Sequence, residues 1–294
     1  MKVQINRRAI IVALVLVAGL WLFWYLKFAG HHLVLHKDAV PANFWGVTFS
    51  KKYVGELGLP WHDAYQSMLD DLQVKNIRLP IYWDDIETQR GIYNFSDYDW
   101  MIEEGARHHA RFIVVAGRRL PRWPECHQPA WTASLDRAAV DDAHLAATEA
   151  VIQHFKKYDA VQSWQLENEY FFPWFGECPK ANVALIDTEI EYLKQQDARP
   201  LILTDSGELN SWRKAAKRSD ILGVTMYRVV WNNYFGYFRG PWPAWLYRLK
   251  ARLVGKDSAR MIIAELQAEP WPAKFKKVTE VTPEEAHKSF SITQ

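Results

Sequence analysis

The feature that most limits how this chain can fold is a regular alternation between short, almost wholly apolar runs and longer stretches with helical spacing. The apolar runs are Phe44–Phe49, Asn76–Ile81, Phe112–Ala116, Val161–Leu166, Leu201–Thr204, Ile221–Met226 and Met261–Ala264. Each is rich in Val, Ile, Leu or Phe and nearly continuous in apolarity, which is how strands buried on both faces read. Between them lie Trp61–Lys75, Ser96–Ala110, Ser134–Lys157, Asn182–Gln196, Glu208–Arg218 and Trp242–Val254, all with helical spacing. Ser96 is expected to cap its helix, with Asp97 and Asp99 in the first turn. Such alternation implies a parallel sheet with helices on its faces.

A doubly wound sheet and a closed barrel both satisfy that pattern. A doubly wound nucleotide-binding sheet carries a Gly-rich turn after an early strand, and the chain has neither G-x-G-x-x-G nor G-x-x-x-x-G-K-[ST]. Polar residues instead recur where the strand candidates end: Arg78, Glu167-Asn168-Glu169, Asp205, Tyr227 and Glu265. Chemistry spread over many strand ends is the habit of the (β/α)8 TIM barrel, which commonly takes about 250 residues. The chain has 294 residues and ends at Gln294, soon after a helix-like start at Pro283–Ser289. The expectation is therefore a TIM barrel over residues 31–294, C-terminally incomplete and lacking its eighth strand–helix unit.

Residues 1–30 read differently. Lys2, Arg7 and Arg8 precede an apolar run from Ala9 to Leu26. As a helix that run spans roughly 27 Å, close to the hydrocarbon thickness of a bilayer. A signal-peptide core is shorter and ends in a small-residue cleavage site, and no clear A-x-A pattern is present. Trp21, Trp24 and Tyr25 fall where an interfacial aromatic belt would lie. The segment is expected to be a single-pass anchor in the cell membrane, with a cleaved signal as the alternative. Either way the globular part is extracytoplasmic.

Lys and Arg number 36 against 34 Asp and Glu, so the overall basic field that nucleic acid requires is absent. The 15 Trp, 13 Tyr and 14 Phe fit either a large core or ring platforms for sugars, whose C–H faces are apolar. Residues 231–256 concentrate such rings ahead of Arg248, Lys250, Arg252 and Lys256. A loop and helix packed on the barrel, a sugar-binding rim and a membrane-facing patch remain open there. Cys126 and Cys178 fall in the loops after strands three and four, close enough for one disulfide in an oxidising compartment, or two free thiols. Ten histidines form no H-E-x-x-H and no ligand triad, so no metal or other cofactor is expected; the oligomeric state is not legible.

The sharpest chemistry lies in two carboxylates. Glu169 closes Trp164-Gln165-Leu166-Glu167-Asn168-Glu169-Tyr170, and Glu265 closes Met261-Ile262-Ile263-Ala264-Glu265. They end the fourth and seventh strands, which face each other across a barrel mouth. Glycosidic hydrolysis needs one carboxylic acid to protonate the leaving oxygen and one carboxylate to meet the oxocarbenium-like carbon. Glu269 rivals Glu265, but Glu265 directly follows the apolar run. Alternation along the strand turns Glu167 away from its neighbour Asn168. Asp205 and Glu208 are equally readable as helix caps and sugar ligands.

Asn168-Glu169 after strand four, with Glu265 after strand seven, resembles the clan A glycoside hydrolases, which include cellulases, mannanases, xylanases and β-galactosidases. Arg90-Gly91-Ile92-Tyr93-Asn94-Phe95-Ser96-Asp97-Tyr98-Asp99, followed by Gly105, is similar to the second βα unit of the β-galactosidase-like branches. The resemblance runs from about Asn43 to Pro272. It implies retaining hydrolysis of O-glycosidic, β-linked bonds in an oligosaccharide or polysaccharide, with Glu169 as acid/base and Glu265 as nucleophile. It further implies that Asn168 bonds the sugar 2-hydroxyl, that Arg78 orients Glu265 and keeps it ionised, and that Tyr227 donates to Glu265. The strand-eight Trp of that clan has no counterpart in the chain. A non-catalytic surface glycan-binding protein on a decayed barrel and a transglycosidase are the rival functions.

Overall fold

The computed structural model describes residues 11–22, 44–227, 229–232, 236–240 and 242–267. Seven parallel strands form one sheet in strictly sequential order: β1 (Val47–Thr48), β2 (Asn76–Pro80), β3 (Arg111–Ala116), β4 (Val161–Leu166), β5 (Leu201–Asp205), β6 (Ile221–Met226) and β9 (Met261–Leu266). The helices between them are α2 (Lys51–Glu56), α3 (Trp61–Asp70), α4 (Trp83–Ile86), α5 (Ser96–Arg107), α6 (Arg137–Phe155), α7 (Val183–Gln196), α8 (Arg213–Arg218) and α9 (Ala244–Leu253), among the described residues. Between β6 and α9 lies an antiparallel hairpin, β7 (Val229–Asn232) with β8 (Gly236–Arg239).

The strands are more strictly alternating than their sequence suggests. Ile77 and Leu79, Phe112 and Val114, Trp164 and Leu166, Leu201 and Leu203, Leu222 and Val224 all join one core cluster with helix residues such as Tyr65, Met68, Met101, Ile152, Ile186 and Ala215. Each fully buried aliphatic side chain of this set contributes about 1.5–3 kcal/mol. The residues of opposite phase (Arg78, Gln165, Thr204, Thr225) point to the opposite face, where they bond one another or the strand ends. Gly223 lies on that inner face. A Cβ there would come within 2.7 Å of Thr204 Cγ2, so strand contact leaves room only for hydrogen.

The sheet curls into a nearly closed barrel. The Arg78 guanidinium, on β2, reaches Gln165 on β4 and Glu265 on β9 at 2.8 Å each, and approaches Thr48 of β1 at 3.5 Å. A flat sheet could not bring its second and last strands onto one side chain. The outermost strands are its least covered, with Val47 of β1 and Ile263 and Leu266 of β9 exposed.

Several expectations need correction. Strand one is two residues long, not six. Ser96 does not cap α5; its own N–H donates to Asn94 Oδ1 at 3.0 Å, and Phe95 holds the cap position. The helix expected over Ser134–Lys157 is present as α6 but starts three residues later, because Ser134 closes a 3-10 turn, Ala130–Ser134. Helix α8 starts at Arg213, so neither Asp205 nor Glu208 caps it. Within 231–256, Tyr247 and Ala251 of α9 join the main core, which favours packing on the barrel.

Residues 11–22 form helix α1, with exposed side chains. Among the described residues no helix is long and apolar enough to cross a membrane. The rest of the expected anchor, and residues 268–294 where an eighth unit was sought, lie outside the described residues.

Candidate active site

The expected site residues converge at the C-terminal ends of β2, β4, β6 and β9. Arg78 is the hub, buried at 5% exposure. Its Nη1 pairs with Glu265 Oε1 and its Nη2 donates to Asn168 Oδ1, each at 2.8 Å. The Tyr227 hydroxyl donates to the other Glu265 oxygen at 3.0 Å. Both oxygens of Glu265 therefore receive a donor, one of them a cation, an arrangement that suits a fixed carboxylate. Glu265 remains partly open to solvent, at 18%.

Glu169 sits in the opposite environment. It is buried, and among the described residues its one side-chain partner is the Thr225 hydroxyl, which donates to Oε1 at 2.9 Å. Burial pushes its carboxyl well above the ordinary range, and the nearby Glu265 and Glu125 push it further. Its own N–H donates to Thr204 Oγ1 at 2.9 Å. The backbone is left-handed at both Glu167 (φ 58°) and Glu169 (φ 43°). Side chains other than glycine occupy that region at a cost of about 1–3 kcal/mol, and such positions cluster at functional sites.

Asn168, between them, is saturated on one side. Its Oδ1 accepts from Arg78 and, at 3.1 Å, from Thr204. Its Nδ2 donates to Glu125 Oε2 at 3.1 Å, and its second N–H has no partner among the described residues. Glu125 is a site residue that the sequence reading missed. It is 4% exposed and left-handed at φ 73°. Burial, with Glu265 next, pushes its carboxyl up to about 8.

Cys126 and Cys178 are joined in a disulfide, with Cα atoms 5.3 Å apart, and this fixes the loop carrying Glu125 against the loop after β4. That neighbourhood is the one sequence signal that could have found Glu125. Asp205 and Glu208 stand at the margin. Burial raises both, Asp205 to about 6. Asp205 accepts from Asn210, and Glu208 from the Tyr227 N–H and the Tyr247 hydroxyl. Glu269 lies outside the described residues.

Glu167 faces away from the mouth and from Asn168; its left-handed backbone breaks the strand alternation, which would have put it on the face of Gln165, and turns it toward α6 and α7. Its oxygens accept from the Arg118 and Arg119 N–H groups at 3.0 and 2.7 Å, and His144 Nε2 lies 3.0 Å away. Burial alone would raise its carboxyl; His144 and Arg118 outweigh burial and hold it low. Behind His144 lies Glu189, fully buried, its Oε1 3.5 Å from His144 Nδ1 and neither oxygen hydrogen-bonded among the described residues. Burial and the facing Glu167 raise Glu189 well above the usual range. Among the described residues, His144, Glu167 and Glu189 are the one group with ligand-type atoms close enough to hold a metal ion. With Glu167 already engaged by two backbone donors and Arg118 alongside, the cluster reads as a sealed polar staple between β4, α6 and α7.

The fold and the mouth together define a nearly closed parallel α/β barrel whose strand ends carry a buried, raised Glu169 and, near it, a partly open Glu265 paired with Arg78. No protein-family model matches the chain, and no curated protein matches it. Partial likeness is found among solved structures. A GH5_18 protein from Bifidobacterium longum subsp. longum aligns with a TM-score of 0.46 at 14% identity, covering 64% of this chain and 49% of its own. An exo-β-1,4-mannosidase from Opitutaceae bacterium strain TAV5 aligns at 0.47 and 13%, covering 63% and 38%. A β-galactosidase from the psychrophilic Marinomonas ef1 aligns at 0.43 and 14%, covering 62% and 40%. The chain spans half or less of the length of each. Overlap this partial carries no argument about activity, which rests on the site's own geometry.

Proposed function

We propose that this chain is a retaining glycoside hydrolase acting on β-linked glycans, with Glu169 as acid/base and Glu265 as nucleophile. The observation that carries the reading is the asymmetry of the pair. Glu169 is buried and keeps its proton, whereas Glu265 has Arg78 on one oxygen and Tyr227 on the other. A buried carboxyl that holds its proton, beside a carboxylate bonded on both oxygens, is what double displacement uses.

In the first step a Glu265 oxygen bonds to the anomeric carbon as the glycosidic C–O bond breaks, and the Glu169 proton passes to the leaving oxygen. In the second, ionised Glu169 takes a proton from water, the water oxygen bonds to the anomeric carbon, and Glu265 departs with its electron pair. The second Asn168 N–H is placed to bond the sugar 2-hydroxyl, while Arg78 holds Asn168 and Glu265 in one frame.

The same proposal places the barrel outside the cytoplasm, tethered through residues 1–30. The disulfide, a bond that persists in oxidising compartments, supports that placement.

The test is hydrolysis of aryl β-glycosides by the full chain, followed by NMR from the first seconds. The reading expects a β-configured first product and loss of turnover in Glu265→Gln. Glu169→Gln should lose turnover on glycans but keep its first step on leaving groups that need no proton. An α-configured first product overturns the retaining mechanism. Glycan binding without turnover, unchanged in both variants, makes the chain a sugar-binding protein.

A further inference from the structure

Beyond Glu169 the chain turns back at once, with the Phe172 N–H donating to the Glu169 carbonyl at 2.8 Å. Tyr170, Phe171 and Phe172 are buried, but Trp174 is 82% exposed. Three residues of turn and two of chain keep its Cα within about 15 Å of that of the acid. Trp123, in the loop after β3, is 52% exposed and meets Phe175 edge to face at 5.8 Å.

These rings stand on a braced frame. Buried Arg119 donates to the Phe172 and Phe175 carbonyls at 2.8 and 2.7 Å. The Glu177 N–H donates to the Pro124 carbonyl at 2.9 Å, and the Cys126–Cys178 disulfide closes the same strip. At Gly176 a Cβ would come within 2.7 Å of the Glu125 side chain, so this strip lies directly on the carboxyl that bonds Asn168. The rim and the catalytic mouth are thus one continuous structure. A large apolar ring held in water by a buried arginine and a disulfide is placed for an occupant, unlike a ring tolerated on a loose loop.

The direction of the chemistry identifies that occupant. The acid protonates the leaving oxygen, so the loop leading from Glu169 lines the leaving-group side of the cut. Sugar rings offer apolar C–H faces that stack on indole. We propose that Trp123 and Trp174 form a platform for the leaving-group portion of a glycan chain, so that the substrate is an oligosaccharide or polysaccharide and not one sugar on a small aglycone. This rests on the glycosidase reading of the mouth.

The experiment compares the full chain with Trp174→Ala, Trp123→Ala and Trp174→Phe. One arm measures KM and kcat on β-monoglycosyl fluorides, whose leaving group is too small to stack on a ring, and on cellotetraose, mannotetraose and β-galactotetraose. The other measures calorimetric binding of the same tetraoses in a Glu169→Gln background. The proposal expects KM for the hydrolysed tetraose to rise at least tenfold in the alanine variants, to recover largely in Trp174→Phe, and to stay within twofold on the monoglycosyl fluoride. Tetraose binding should weaken in parallel.

Equal losses on both substrates, or none on either, overturn the platform. So does a protein that binds no tetraose. If nothing is hydrolysed but tetraose binding weakens in Trp174→Ala, the platform stands and the glycosidase reading falls.

Discussion

Glu167 and Glu169 lie two residues apart at the end of one strand, yet they meet opposite surroundings. Glu167 is enclosed by two backbone N–H groups and His144 and is held below the usual carboxylate range. Among the described residues Glu169 has a single hydroxyl donor and two carboxyl neighbours, and it is held well above that range. Both are buried, so burial alone does not distinguish them. What distinguishes them is the number and charge of the donors that replace water. One carboxylate fastens the loop after β3 to the barrel; the other is left with a proton to give.

The largest effects should separate the two directly. Glu169→Gln is expected to cut hydrolysis of unactivated glycans by about 10²–10⁴ while leaving urea unfolding unchanged, because a positioned general acid contributes that much. Glu167→Gln is expected to cost about 3–5 kcal/mol of folding stability, the usual result of breaking a buried charge cluster. A Glu167→Gln protein as stable as the parent would dissolve the comparison.

Next comes the disulfide, which spans 52 residues between the same two loops. A closure of that length contributes up to about 4 kcal/mol through the unfolded chain. Guanidinium unfolding with and without reductant measures it, and an unchanged midpoint would show that the loops hold without it.

The smallest effect is also the most specific. Glu125 is raised to about 8, so the folded protein keeps this proton where the unfolded chain has lost it. That contribution to stability is full below the ordinary glutamate value and is lost as pH rises toward 8. Glu125→Gln should flatten the decline. It should also shift the alkaline limb of the pH–rate profile to lower pH, since Glu125 helps raise Glu169. Glu167→Gln should leave that limb in place.

Much of this site was legible because its parts end strands. Asn168, Glu169, Tyr227 and Glu265 each follow or close an apolar run, Arg78 interrupts one, and a parallel barrel gathers such residues in one mouth. Thr204 and Thr225 were hidden inside those runs. Their partners became visible only once the inner face of the curled sheet was known. Glu125 was hidden differently: it lies in a loop with no period to read, and only Cys126 beside it pointed toward Asn168. The Ser96 cap failed because the helix begins one residue earlier than expected: Ser96 is its first residue, Phe95 holds the cap position, and Asn94 accepts the Ser96 N–H. Local chemistry of equal quality offered two solutions, and the sequence pattern favoured the wrong one.

The central claim is that Glu265 bonds covalently to the sugar while Glu169 handles the proton. Incubating the full chain with activated 2-deoxy-2-fluoro β-glycosides and mapping the digest by mass spectrometry tests it most directly. The fluorine slows both steps and the activated leaving group spares only the first, so the intermediate accumulates. The account predicts one fluorosugar per chain, on the peptide containing Met261–Leu266 and attached at Glu265. A label on another residue, or steady turnover with an α-configured first product and no label, would contradict it.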